Sequence, residues 1–191
     1  MEYLVAQDRF ETEGFVLRSY LPGDGAKLFE AVDASRDHLA PWMPWIEAHS
    51  DAEASERFVR QARGKFLLAR NFILAIFPPD ESELWGGCGY HLREGGLKNR
   101  AAEMGMWIRA SQAGRGLGTR VLEAMIRWGF AEWPWLRLTW HCDGRNLASY
   151  RVAEKAGMRL EGTLRRHFEA RDGERRDTRC YAILKEEQAE A

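Results

Sequence analysis

The stretch Ala113-Gly114-Arg115-Gly116-Leu117-Gly118-Thr119 constrains this chain more than any other seven residues. It follows an apolar, strand-like run, Met104 to Ile108. It opens a segment in which Val121, Leu122, Met125, Ile126 and Trp133 recur at helical spacing. Glycines at three alternate positions let the backbone curl until several N–H groups converge. The start of the helix adds its unpaired donors and the positive end of its dipole. Such a turn binds an anion, most naturally a phosphate or pyrophosphate. Hydrogen bonds to a charged group are worth roughly 1.5–3 kcal/mol each, so a handful would anchor a cofactor. A nucleotide P-loop is excluded because no Gly-Lys-Ser or Gly-Lys-Thr occurs. A dinucleotide fingerprint needs Gly or Ala three places after Gly116, where the chain has Thr119.

The rest of the chain alternates strand and helix patterns. Phe15 to Tyr20 alternates apolar and polar residues, and Asp24 can cap a helix carrying Leu28, Phe29 and Val32. Ser50-Asp-Ala-Glu53 has the form of a capping box opening a helix whose buried face includes Phe58, Val59 and Ala62. Phe72 to Phe77 is a short apolar strand stopped by Pro78-Pro79. Leu84 to Leu92 and Ala101 to Arg109 suggest a hairpin around Glu94-Gly95-Gly96. Beyond the glycine loop come a helix to about Trp133, a strand from Leu136 to Cys142, and a helix from Asn146 closed by Gly157. Arg159 to Glu169 and Thr178 to Leu184 make a last hairpin, followed by a charged tail, 185–191. Helices mixed with antiparallel strands and one later strand–helix–strand unit predict an α+β fold with a mixed sheet.

Three motifs resemble one family. Gly114-Arg-Gly-Leu-Gly-Thr119 resembles the pyrophosphate loop of the GCN5-related N-acetyltransferases (GNAT), which hold acetyl-CoA by backbone amides at a helix start. Asn146-x-x-Ser149, Glu154-Lys155-x-Gly157-Met158 and Glu161-Gly162 resemble the branch that acetylates serine or alanine N-termini of ribosomal proteins, the RimJ/RimL group. So does Leu39-Ala-Pro-Trp42-Met-Pro-Trp45 near the start. The resemblance runs from about Phe15 to Leu184 and implies one N-acetyltransferase domain, 1–191, built on six or seven largely antiparallel strands flanked by helices. One departure is Ala113, where the family's loop usually begins with Gln, Arg or an aromatic residue; Gln112 stands one place early.

Acetyl transfer sets a short list of needs: an amine must lose its proton, attack a thioester, pass through an oxyanion and expel a thiolate. Two residues are candidates for the base. Glu103 lies on the strand before the loop, where histone-type relatives place one, and Glu94 lies at the preceding turn. The resemblance implies a backbone N–H near Met106 or Trp107, on the run to Ile108, as the oxyanion donor. It also implies Asn146 as a contact to the pantetheine arm and Ser149 beside the departing sulfur. Tyr150, one helical step round, is expected to face elsewhere. Trp42 and Trp45 are candidates for the wall of the acceptor groove. The five histidines, His141 among them, read as structural or surface groups.

The acceptor expected from the resemblance is a primary amine, foremost the N-terminal α-amine of a protein or peptide. A small-molecule acetyltransferase for an aminoacyl compound, polyamine or antibiotic is the rival. A CoA-binding sensor without turnover is a third reading, disfavoured by Glu103, Asn146 and Ser149 all being present. Net charge is −1, from 28 basic and 29 acidic residues without long runs of either sign, so a direct nucleic-acid footprint is not expected. Arg165, Arg166, Arg171, Arg175 and Arg176 alternate with acids and read as a solvated hairpin. Cys88, Cys142 and Cys180 are widely spaced, without metal-ligand or disulfide spacing, which fits reduced thiols in a cytoplasmic protein and no metal. No apolar h-region follows Met1, and no stretch nears the ~20 apolar residues of a membrane helix. A homodimer is compatible with this reading.

Overall fold

The computed structural model describes residues 6–188; the end of the charged tail, 189–191, lies outside them. The strands are β1 (Arg9–Glu11), β2 (Val16–Ser19), β3 (Phe72–Phe77), β4 (Gly86–His91), β5 (Ala101–Ile108), β6 (Arg137–Asp143), β7 (Arg159–Glu169) and β8 (Arg175–Leu184). The helices are α1 (Gly25–Asp33), α2 (Arg36–Leu39), α3 (Ala52–Leu67), α4 (Gly96–Asn99), α5 (Leu117–Glu132), α6 (Leu147–Lys155) and α7 (Lys185–Gln188). The sheet has eight strands in the order β1-β2-β3-β4-β5-β6-β8-β7. β5 and β6 run parallel, while β1–β2, β2–β3, β3–β4, β6–β8 and β7–β8 are antiparallel. This is the expected α+β class with one strand more: β1 is a three-residue strand laddered to β2, Phe10 opposite Leu17, with Arg9 paired to Glu81 at 2.6 Å. No helix among the described residues is long and apolar enough to cross a membrane.

Two compact units form, one from the described residues up to His91 with Met106–Gly114, the other from Leu92–Gly105 with the described residues from Arg115 on. In the first, α1 and α3 bury Leu28, Val32, Val59 and Ala62 with Val16, Tyr20, Ala75 and Phe77. Each fully buried Leu, Val or Phe side chain among these is worth about 1.5–3 kcal/mol. Gly25 lets the helices touch, since a Cβ there would lie 2.5 Å from the Glu56 Cα. Asp24 stands at the α1 N-cap without capping it. Its carboxylate binds the Arg18 guanidinium at 2.7 and 3.0 Å, and Glu56 of α3 takes the Gly25 N–H at 3.1 Å instead. The α3 cap is Asp51, which accepts from the Ala54 N–H at 2.7 Å, so the box read at Ser50 is displaced by one residue.

In the second unit, α5 buries Val121, Leu122, Met125 and Ile126 as the helical spacing predicts, while Trp133 lies just past its end. The connection read as a hairpin turn around Glu94 contains the helical turn α4. Gly157 stops α6 with φ +81°. The arginine-rich hairpin is solvated as expected except at Arg176, whose side chain is tucked against Asp143 and Asp172.

Candidate active site

The glycine loop leaves β5 through a 3-10 turn, Ala110–Gln112, and reaches α5 through two left-handed residues. Gly114 has φ +73° and Gly116 φ +77°. Gly116 is the N-cap, and no side chain caps the helix; its carbonyl accepts the Arg120 N–H at 3.2 Å. The N–H groups of Leu117, Gly118 and Thr119 therefore open α5 without partners from the helix itself. Gly118 lies in the first turn without left-handed φ, so conformation requires glycine at two of the three positions. A Cβ on Gly114 or Gly116 would meet nothing within 4 Å, so it is their left-handed φ, not crowding, that calls for glycine. Arg115 is exposed. The loop thus fits an anionic group held by main-chain donors.

Asn146 caps α6, its Oδ1 accepting the Ser149 N–H at 3.0 Å, which leaves its NH2 for a ligand. Ser149 Oγ accepts from Trp140 Nε1 at 3.1 Å, and its hydroxyl faces the Cys142 sulfur. Burial pushes the Cys142 thiol up to about 11, a rise the Ser149 hydrogen bond moderates. The Tyr150 ring lies under the Arg179 guanidinium at 4.1 Å, away from the partners of Ser149.

The two carboxylates that the sequence offered as alternatives are neighbours. Parallel pairing sets Glu103 beside Thr139 and Ala101 beside Arg137. The two-residue period of a strand then places Glu103, Arg137, Thr139 and His141 on one face, and Leu138, Trp140 and Cys142 on the other. Glu103 accepts from Arg93 Nη1 at 2.7 Å and lies 3.4 Å from His141 Nδ1. Glu94 accepts from Thr139 Oγ1 at 3.0 Å and lies 3.8 Å from His141 Nε2 and 3.7 Å from Arg137 Nε. Arg137 in turn forms a two-pronged pair with Glu161. The hydrogen bond that the His141 ring donates to Glu103 outweighs the opposing burial and raises the His141 pKa above the ordinary imidazole value; the charges of Glu103 and Glu94 add to the rise and Arg93 subtracts. His141, read from sequence as structural or surface, is thus the bridge between the two candidate bases. The signal available was its place among alternate polar residues, Arg137-x-Thr139-x-His141, on a strand beside Glu103. No three such groups are arranged to hold a metal ion among the described residues.

In the other unit, Trp107 packs on the glycines of β4: a Cβ on Gly87 would come 2.5 Å from its Nε1. Trp45 meets Trp107 at 5.7 Å between ring centroids and His49 at 5.6 Å. Burial, followed by the Arg36 charge, depresses the His49 pKa. Trp42 is half-buried on the turn before Trp45. The structure therefore joins Trp45 with Trp107 in one aromatic surface.

Comparison with known proteins gives the same picture. Residues 15–159 match the acetyltransferase (GNAT) domain family. Over 175 residues, 92% of this chain and 93% of the relative, the sequence is 27% identical to YdaF of Bacillus subtilis (strain 168), provisionally named a ribosomal N-acetyltransferase. A shorter match, 33% identical over 85 residues, spans 44% of this chain and about half, 49%, of YnaD, an uncharacterized N-acetyltransferase of that organism. The structure of Mycobacterium smegmatis RimJ in complex with CoA-disulfide superposes with a TM-score of 0.79 at 26% identity, covering 91% of this chain and 83% of that one. The chain belongs to the GNAT acetyltransferase family.

Proposed function

We propose that the protein is a single-domain, acetyl-CoA-dependent N-acetyltransferase acting on the N-terminal α-amine of a protein or peptide. The observation that carries the cofactor half is the uncapped start of α5 behind two left-handed glycines. Backbone groups from Gly114 to Thr119, through Arg115, Gly116, Leu117 and Gly118, hold the pyrophosphate. The main chain of Met106, Trp107 and Ile108 receives the pantetheine arm and the thioester oxygen. The NH2 of Asn146 steadies that arm, and Ser149 stands near the departing sulfur. Glu94 and Glu103, with His141 between them, form the acid–base group that meets the acceptor's ammonium, and Trp42 and Trp45 wall the acceptor groove. A protein N-terminus as acceptor is supported by the likeness to YdaF and RimJ and by chemistry, because an α-amine of pKa ~7.7–8.0 needs far less help than a lysine near 10.4.

The test is thiol release from acetyl-CoA with a panel of N-terminal peptides and small amines. Turnover with peptides beginning in Ser or Ala is expected. Turnover confined to small amines would move the acceptor class, and tight CoA binding with no thiol release would leave a sensor.

A further inference from the structure

We propose that His141 is the group that takes the proton from the acceptor ammonium, with Glu103 orienting its ring and Glu94 facing its other nitrogen. The inference rests on the transferase reading and sharpens it. His141 Nδ1 lies 3.4 Å from a Glu103 oxygen whose partner oxygen is held by Arg93 at 2.7 Å. This is the geometry of an imidazole fixed by a carboxylate behind it. On the other side, Nε2 and Glu94 are 3.8 Å apart, too far for a direct hydrogen bond. An amine nitrogen or a water set to one side of the line joining them reaches both at about 2.8 Å. The His141 side chain is 32% exposed and Glu103 only 12%, so an acceptor meets the imidazole before the carboxylate.

Proton affinity favours the same choice. A carboxylate of ordinary pKa ~4.3 is roughly three and a half pK units from a peptide amine, an imidazole of ~6.5 only one or so. A base works best with its pKa near the operating pH. The groups facing the imidazole come from every neighbouring strand: Arg93 and Glu94 from the β4–β5 connection, Glu103 from β5, and Thr139 and Arg137 from β6 itself. Cys180 lies opposite in the β8 register, and Glu161 of β7 neutralises Arg137. The two near carboxylates make the imidazolium an acceptable product of the step.

In that step an ammonium N–H bond breaks and its proton passes to His141 Nε2. The amine lone pair forms the C–N bond to the thioester carbonyl, the C–S bond breaks, and sulfur leaves with the electron pair. The second proton lost from nitrogen ends on the CoA sulfur, and the imidazolium returns its proton to solvent.

The experiment compares the wild type with His141→Gln, Glu103→Gln and Glu94→Gln. The readouts are kcat from pH 5 to 9, acetyl-CoA affinity by calorimetry, and the His141 imidazole titration by NMR. His141→Gln should lose about 10²–10⁴-fold in kcat at pH 7 with unchanged acetyl-CoA affinity. The acid limb of the wild-type profile should coincide with the imidazole titration, above ~6.5. Glu103→Gln should keep an acid limb but move both it and the imidazole midpoint to lower pH. A His141→Gln enzyme that keeps wild-type kcat and acid limb overturns the proposal. So does an imidazole midpoint at or below the ordinary value, a readout that stands even if the variant misfolds. A wild type that binds CoA yet releases no thiol with any amine refutes the transferase reading, and the proposal with it.

Discussion

Alanine at Gly116 and at Gly118 should separate two demands that the phosphate loop makes on its glycines. Gly116 holds φ +77° with no atom within 4 Å of a built Cβ, so Ala there clashes with nothing and the whole effect is backbone strain. An L-residue in the left-handed region costs roughly 1–2 kcal/mol. For a domain of this size that lowers Tm by about 2–8 °C. Gly118 sits in α5 outside the left-handed region, where Ala is a better helix former than Gly by up to about 1 kcal/mol. Gly118→Ala should therefore hold or raise Tm. A helical Cβ tilts toward the N-terminus, so the new methyl group should nevertheless crowd the first-turn amides and keep a phosphate from closing on them. Losing one charge-assisted hydrogen bond, at roughly 1.5–3 kcal/mol, weakens acetyl-CoA binding by tenfold or more. Thermal melts with calorimetric titration of acetyl-CoA read both quantities. Gly116→Ala should weaken binding and stability together, and Gly118→Ala binding alone. Arg115→Ala should change the Kd less than either, because its exposed charge is screened by solvent. Wild-type affinity in Gly118→Ala, or an Arg115→Ala loss as large as the glycine losses, would refute the main-chain cradle.

Arg18→Ala should destabilise the fold by about 3–5 kcal/mol in denaturant melts, because Arg18 is almost fully buried against Asp24 and Glu81. Burial pushes the Glu81 pKa up, but hydrogen bonds from Arg18 and Arg9 overcome it and leave the group below its ordinary range. A depressed carboxylate contributes stability that is full above its unfolded value near ~4.3 and is lost as pH falls through the folded one, so melts from pH 6 to 3 should show a slope that Arg18→Ala flattens. Gly25→Ala should cost about 1–3 kcal/mol, because its Cβ would press on the Glu56 backbone at 2.5 Å; a variant as stable as wild type would show that α1 and α3 slide apart freely. Trp45→Ala should raise KM for a peptide acceptor severalfold with kcat nearly kept, and an unchanged KM would remove the Trp45–Trp107 surface from the acceptor site.

The elements of this fold were legible where a local period reports burial, and obscure where a distant partner decides. The α5 stripe of Val121, Leu122, Met125 and Ile126 announced both a helix and its inner face. Strand β1 has three residues and two charges, too little for any period to register, and exists because β2 offers it a ladder. Asp24 and Ser50 both have side chains suited to capping, so local rules chose them. Asp24 is diverted by Arg18, six residues upstream, and the α1 amides are met by Glu56, thirty-one residues downstream from Gly25. A buried guanidinium without a carboxylate costs more than a helix cap contributes, so the ion pair wins that competition.

The same division runs through the site. The glycine loop is contiguous in sequence, and its conformation follows from residues that touch one another along the chain. Glu103 and Glu94 could each be placed on a strand or turn, but no sequence period says that they share a partner. That depends on register: β6 runs parallel to β5 with Thr139 beside Glu103, which puts His141 one step further along the same face. A shift of one residue in that pairing would present Trp140 and Cys142 to the carboxylates and turn the imidazole to the opposite face. Burial of Leu138 and Trp140 on that opposite face fixes the register, because exposing two large apolar side chains would cost several kcal/mol. The apolar half of β6 thus determines where its polar half meets Glu103, and the chemistry of the face is set by the packing beneath it.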